Sequence, residues 1–138
     1  MGTVKNSPNA LRRVLLLDAA ASGGMGVLLL VAADSLGSLL GLPLNLVRSV
    51  GVFLVPFGVF LVWVATRRYA LPAITRAIVI GNVLWVIASV WLLVSGLVKP
   101  TLLGEVFVLA QAAAVVVFAF LEYRGLRVAQ NAIVAGHA

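Results

Sequence analysis

Four apolar stretches make up most of this 138-residue chain, over residues 14–33, 49–66, 77–98 and 106–121. The first is broken only by Asp18, and the other three hold no charged residue. An α-helix needs about 20 apolar residues to cross the hydrocarbon of a bilayer. With flanking residues counted, spans of 13–33, 48–66, 73–98 and 103–123 follow; the fourth draws on Leu103, Gly104 and Tyr123 at its ends. The solvent for this fold is therefore lipid. The expected fold is all-α, an antiparallel four-helix membrane bundle forming a single domain over residues 1–138. Residues 1–11 read as a loose N-tail and 125–138 as a C-tail, with Gly125 as a C-cap.

Composition agrees. Hydrophobic residues are 63% of the chain and charged residues 10%, with mean hydropathy +1.18. A soluble domain carries about 25% charged residues. Arg12, Arg13 and Val31-Ala32-Ala33 resemble parts of a signal peptide, but Asp18 interrupts the apolar core, so the first helix is expected to be retained.

Cysteine is absent and His137 is the only histidine. Thiol redox chemistry, thiolate metal sites and histidine-ligated haem are therefore not available, and no cofactor or metal is expected. No Ser/His/Asp set can be built, and the Gly-rich SGGMG at 22–26 lacks the Lys-Ser/Thr of a phosphate loop. The reading is non-enzymatic.

The net charge of +6 does not call for nucleic acid, because the basic residues sit beside the ends of spans, where they meet lipid head groups. The N-tail, the turn between spans two and three with Arg76, and the C-tail hold eight of the ten Lys and Arg; Arg48 and Lys99 are on the other side. The positive-inside rule then puts both termini in the cytoplasm, with Tyr69 and Tyr123 at that interface. Residues 35–47, interrupted by Gly37, Gly41 and Pro43, are too short to span, and read as an interfacial half-helix or a re-entrant loop. Pro56 is expected to kink the second span, and Gly51, Gly58 and Ala65 form a small-residue seam along it.

Polar groups at membrane depth are costly and each needs a reason. Asp18, Arg76 and Glu122 fall at similar depth in this topology and are expected to form a buried ion cluster. Ser22, Asn82, Trp85, Ser89 and Gln111 form polar stripes on three helices, directed inward. Asn82 or Ser89 is expected to satisfy the Trp85 indole N–H.

The runs GNVLWVIASVWLL (81–93), PTLLGEVFVLAQA (100–112) and FLEYRGLR (120–127), with LLLDAAASGGMGVLLL (15–30), resemble small four-helix bacterial inner-membrane proteins. The resemblance implies an inner-membrane location and the four-span layout, and no particular activity. DoxX-like proteins share that layout. Small multidrug transporters are also four-span and carry a membrane-embedded glutamate in the first helix, where this chain has Asp18.

Three functional classes follow. The first is an accessory, assembly or interaction subunit, surrounded by membrane lipids and working in a homo-oligomer or larger complex. The second is a small transporter or channel with a polar path between the first, third and fourth spans. The third is a lipid- or quinone-binding module around Trp85. The orientation is directly testable in this cysteine-free chain. Single cysteines at Asn6, Tyr69 and Gln130 should resist an impermeant thiol reagent on intact spheroplasts, and cysteines at Ser38 and Thr101 should react. The reverse pattern would overturn the orientation.

Overall fold

The computed structural model describes the backbone of residues 2–68 and 71–136 and the side chains of residues 9–68 and 71–136. Tyr69 and His137 lie outside the described residues. Within them the fold is helical, in the order α1 (Gly2–Val31), α2 (Ala33–Leu40), α3 (Leu44–Ala65), α4 (Pro72–Val94) and α5 (Leu102–Gly136). Four of these are long and apolar enough to cross a membrane: Asn9–Val31 within α1, then α3, α4 and α5. The protein is a multi-pass membrane protein.

Hydropathy locates helices inside lipid and says little about turns beyond it. The residues read as a loose N-tail continue α1 back to Gly2. The expected C-cap at Gly125 is likewise corrected. α5 runs through it to Gly136, 35 residues in all. At about 1.5 Å per residue that is roughly 52 Å, well beyond the bilayer core. Gly125 is small for a packing reason: a Cβ there would lie 3.2 Å from the Cα of Leu11 on α1. α4 stops at Val94, four residues before the expected end at 98, and starts with Pro72 in its first turn, where a missing N–H costs nothing.

α1 and α3 pack antiparallel along most of their length. Small residues make this possible, since packing replaces the hydrophobic effect as the force between helices in lipid. A Cβ on Gly58 would sit 2.8 Å from the Cα of Gly23, and one on Gly51 would sit 3.0 Å from the carbonyl oxygen of Gly26. The seam on α3 therefore faces the AAASGGMG run of α1. Leu11, Leu15, Leu61, Val64 and Ile78 form an apolar cluster at one end of this pair, and Leu29, Ala33 and Val47 form a second toward the other.

The segment after α1 breaks at Ala32 and forms the short helix α2. Gly41 ends it at φ +65°, a conformation that suits glycine. The connection before α5 pins this end: Thr101 N–H donates to the Leu40 carbonyl at 3.0 Å, and Thr101 Oγ1 donates to the Leu39 carbonyl at 2.9 Å. α5 packs on α1, α2 and α4. The Leu11–Gly125 contact puts the start of α1 and the late turns of α5 at the same end of the bundle.

The close approach of α1 and α3 predicts an asymmetry between glycines. Gly58→Ala should lower stability by about 1–3 kcal/mol through overpacking, read as a lower thermal midpoint in detergent. Gly24→Ala, whose Cβ would meet nothing within 4 Å, should change it by less than about 0.5 kcal/mol. Equal effects would show that the two helices do not meet at Gly58.

Candidate functional site

Helical periodicity turns Asp18 of α1, Asn82 of α4 and Glu122 of α5 toward one another. Their side chains are 2%, 5% and 0% exposed, so bulk solvent does not reach them. The Asn82 amide Nδ2 donates to Asp18 Oδ2 at 3.3 Å and to Glu122 Oε2 at 3.0 Å. Ser22, one turn along α1, donates from Oγ to Asp18 Oδ1 at 2.8 Å. Glu122 Oε1 has no partner among the described residues.

The expectation that Arg76 completes this cluster is corrected. Arg76 is exposed and makes no ion pair among the described residues. Depth gives the height of a side chain but not its direction. Arg76 and Asn82 are six residues apart, about 240° around a helix with 3.6 residues per turn. With Thr75, Ile78 and Asn82 facing inward, Arg76 must face outward. The ion pair present joins Arg48 to Asp34 at 3.5 Å, on the surface of the α2–α3 end. Exposed pairs of this kind add little.

A second polar layer lies toward the other end of α5. Glu122 and Gln111 are eleven residues apart, about 16 Å along the helix. The Trp85 indole Nε1–H donates to Gln111 Oε1 at 2.9 Å, reaching across to α5 instead of using Asn82 or Ser89 on its own helix. Gln111 Nε2 donates to Ser89 Oγ at 3.0 Å and to the Val108 carbonyl at 2.9 Å. Ser89 Oγ in turn donates to the Trp85 carbonyl at 2.7 Å. Gln111 is thus satisfied at both ends of its amide, and the layer fixes α4 against α5.

Between the layers is a cleft of about 270 Å³. Asp18 and Ser22 lie toward one end of it and Gln111 and Trp85 toward the other, with Phe107 and Phe118 on α5. Exposed Ala21, Ala110 and Ala114 form its mouth, so it opens sideways between α1 and α5. A smaller cleft of about 80 Å³ reaches Ser22 and Asn82 from between α3 and α4, past Phe53 and Phe57. The Phe53 ring stacks on Trp85 with centroids 5.8 Å apart. Phe107 and Phe118 are absent from the stripes read off the sequence. Their spacing would have found them: residues 107, 111, 118 and 122 step by four, seven and four, one helical face.

Among the described residues, no group of three or more His, Cys, Asp or Glu side chains gathers to hold a metal ion. Comparison with protein-family models, curated proteins and solved structures finds no match.

The geometry ranks three substitutions. Asn82→Ala removes the donor shared by two buried carboxylates and should cost about 1–3 kcal/mol or more, seen as a lower unfolding temperature in detergent. Arg76→Ala should stay within about 0.5 kcal/mol of the parent. Asn82→Ala and Glu122→Gln, combined, should lose measurably less than the sum of the two single losses. A large loss for Arg76→Ala would restore the ion cluster.

Proposed function

We propose that this protein is a small proton-coupled carrier for cationic amphipathic molecules that enter from the bilayer. The observation that carries the reading is the Asp18–Asn82–Glu122 unit, in which two buried carboxylates share one neutral amide and meet no cation among the described residues. Ionisable groups at membrane depth that lack a structural partner mark substrate and proton pathways. A carboxylate is acceptor-only when ionised, so what completes the pair is a proton or a cation.

The surroundings favour a cation with an apolar body. Asp18 lines a cleft whose other lining includes Trp85, Phe107 and Phe118. Aromatic faces attract cations, tryptophan most strongly. The cleft is just below the range of about 300–1,000 Å³ usual for small-molecule sites, which suits a compact ligand. Its sideways mouth suits a molecule already dissolved in lipid. Proton and substrate would occupy the carboxylates in turn, so that binding one releases the other.

The reading as an accessory subunit rests on the absence of redox ligands and nucleophiles in the sequence and on the small-residue seams, and neither gives the carboxylate unit a purpose. The inner membrane of a bacterium, with both termini cytoplasmic, is the setting in which a proton gradient would drive the exchange.

Competition fixes the sign of the pH dependence. Purified protein in neutral-lipid nanodiscs should bind the aromatic cation methylphenylpyridinium more tightly as pH rises, because protons vacate the carboxylates. Asp18→Asn should weaken binding by at least about tenfold, the worth of one charge-assisted contact, and Glu122→Gln, joined to Asp18 through the Asn82 amide, should flatten the pH dependence. In proteoliposomes an imposed pH gradient should drive uptake that both substitutions abolish. Absence of pH-dependent binding and of flux, with the fold intact, would sink the carrier reading and leave the unit as a fastening between helices.

A further inference from the structure

A second pocket lies at the end of the bundle where α1 begins, α3 ends and α4 starts, separate from the carboxylate unit. It encloses about 100 Å³ and is lined by Arg12, Arg67 and Arg68, with Thr75 and Leu71 from the start of α4. No carboxylate lines it. We infer that this pocket binds a phosphate group, supplied by an anionic lipid head group or by a free phosphate compound.

Two of the arginines are held in place by their inner nitrogens. Arg12 Nε donates to the Ala65 carbonyl at 2.9 Å, and Arg67 Nε donates to the Trp63 carbonyl at 3.3 Å. The Arg67 guanidinium also lies over the Trp63 ring, 4.4 Å from its centroid. These contacts occupy the last carbonyls of α3 and leave the outer forks of both guanidiniums without a hydrogen bond among the described residues. A planar fork held from behind is suited to a phosphate, which it meets with two parallel hydrogen bonds. Capping of α3 accounts for Arg12 and Arg67. It does not account for Arg68, which is exposed and fastened to nothing among the described residues.

Thr75 gives the independent sign of a ligand. Its side chain is 0% exposed, it lines the pocket, and its Oγ1 has no partner among the described residues. A buried hydroxyl left unbonded is rare in folded proteins and points to a missing group. A phosphate oxygen would accept its proton. Leu71, the residue before α4, also lines the pocket, and no side chain among the described residues caps that helix start. The positive end of the α4 dipole therefore adds to the arginine field.

The test uses the full chain. Extracted from membranes containing phosphatidylglycerol, it should retain about one such lipid per chain in native mass spectrometry. In nanodiscs of neutral lipid alone, inorganic phosphate should raise the thermal midpoint if the free anion is the occupant. Either result supports the site, and the pair of arms tells the two sources apart. Whichever signal is found, Arg12→Gln combined with Arg68→Gln should weaken it by at least about tenfold, and Thr75→Val should weaken it several-fold. Arg68→Gln alone removes no hydrogen bond or ion pair among the described residues, so a loss of signal there reports on the site and not on the fold. Lipid retention and phosphate stabilisation that are both absent, or both unchanged in these variants, would overturn the proposal.

Discussion

The Asn82 side-chain nitrogen holds carboxylates from two other helices, and the rotation of three helices follows from that contact. In water each group could exchange its partner for solvent. In hydrocarbon no such exchange exists, and turning any one of α1, α4 or α5 would strand a carboxylate. An amide is well matched to the task. Its NH2 has two donors, and both are used, while it adds no charge to a place that already holds two acids. The second layer repeats the logic with Gln111, whose amide accepts from Trp85 and donates to Ser89. Two amides, one on α4 and one on α5, thus set the register of the bundle.

α3 is attached differently. It contributes no polar group to either layer and meets α1 through glycines, backbone against backbone. Close packing of that kind uses up α1's small-residue face and leaves the opposite side of the bundle to larger side chains. There α3 meets α4 through the stacked rings of Phe53 and Trp85, which hold the helices apart. Glycine also lets α5 approach α1 at Gly125 and α2 at Gly104, so the clefts lie away from the glycine contacts, beside Phe53, Phe57, Phe107 and Phe118.

Much of this was legible before any coordinates. Charge-free apolar runs located the four spans, because lipid imposes one length and one composition on a crossing helix. Counting in sevens found the Gly51–Gly58–Ala65 seam, and matching depths brought Asp18 and Glu122 together. The errors share a cause. Depth carries no azimuth, so it sets Arg76 beside acids that its helix turns it away from. Spacing along one helix offers Asn82 and Ser89 to Trp85, whereas the indole crosses to α5. Gly125 looked like a helix end, and only the contact with Leu11 reveals why a glycine is needed inside α5. Hydropathy carries no signal for helical turns outside lipid, so the extensions of α1 and α5 were beyond its reach.

Arg12 sits six residues before Asp18 on the same helix, about 9 Å along it, and Arg67 and Arg68 are at the same end of the bundle. Cations are therefore close at hand, yet among the described residues none joins the acids. Arg12 is fastened to the Ala65 carbonyl, and the cluster of Leu11, Leu15, Leu61, Val64 and Ile78 closes that end of the α1–α3 pair. Were the acids there only to tie helices together, an internal ion pair would satisfy them with groups already in the chain. Here the arginines lie at the rim, and among the described residues the acids receive only neutral donors, the Asn82 amide and the Ser22 hydroxyl. On the proposed carrier reading, a proton or a cationic ligand balances their charge, and the openings that reach Asp18 and Asn82 are the clefts between helices.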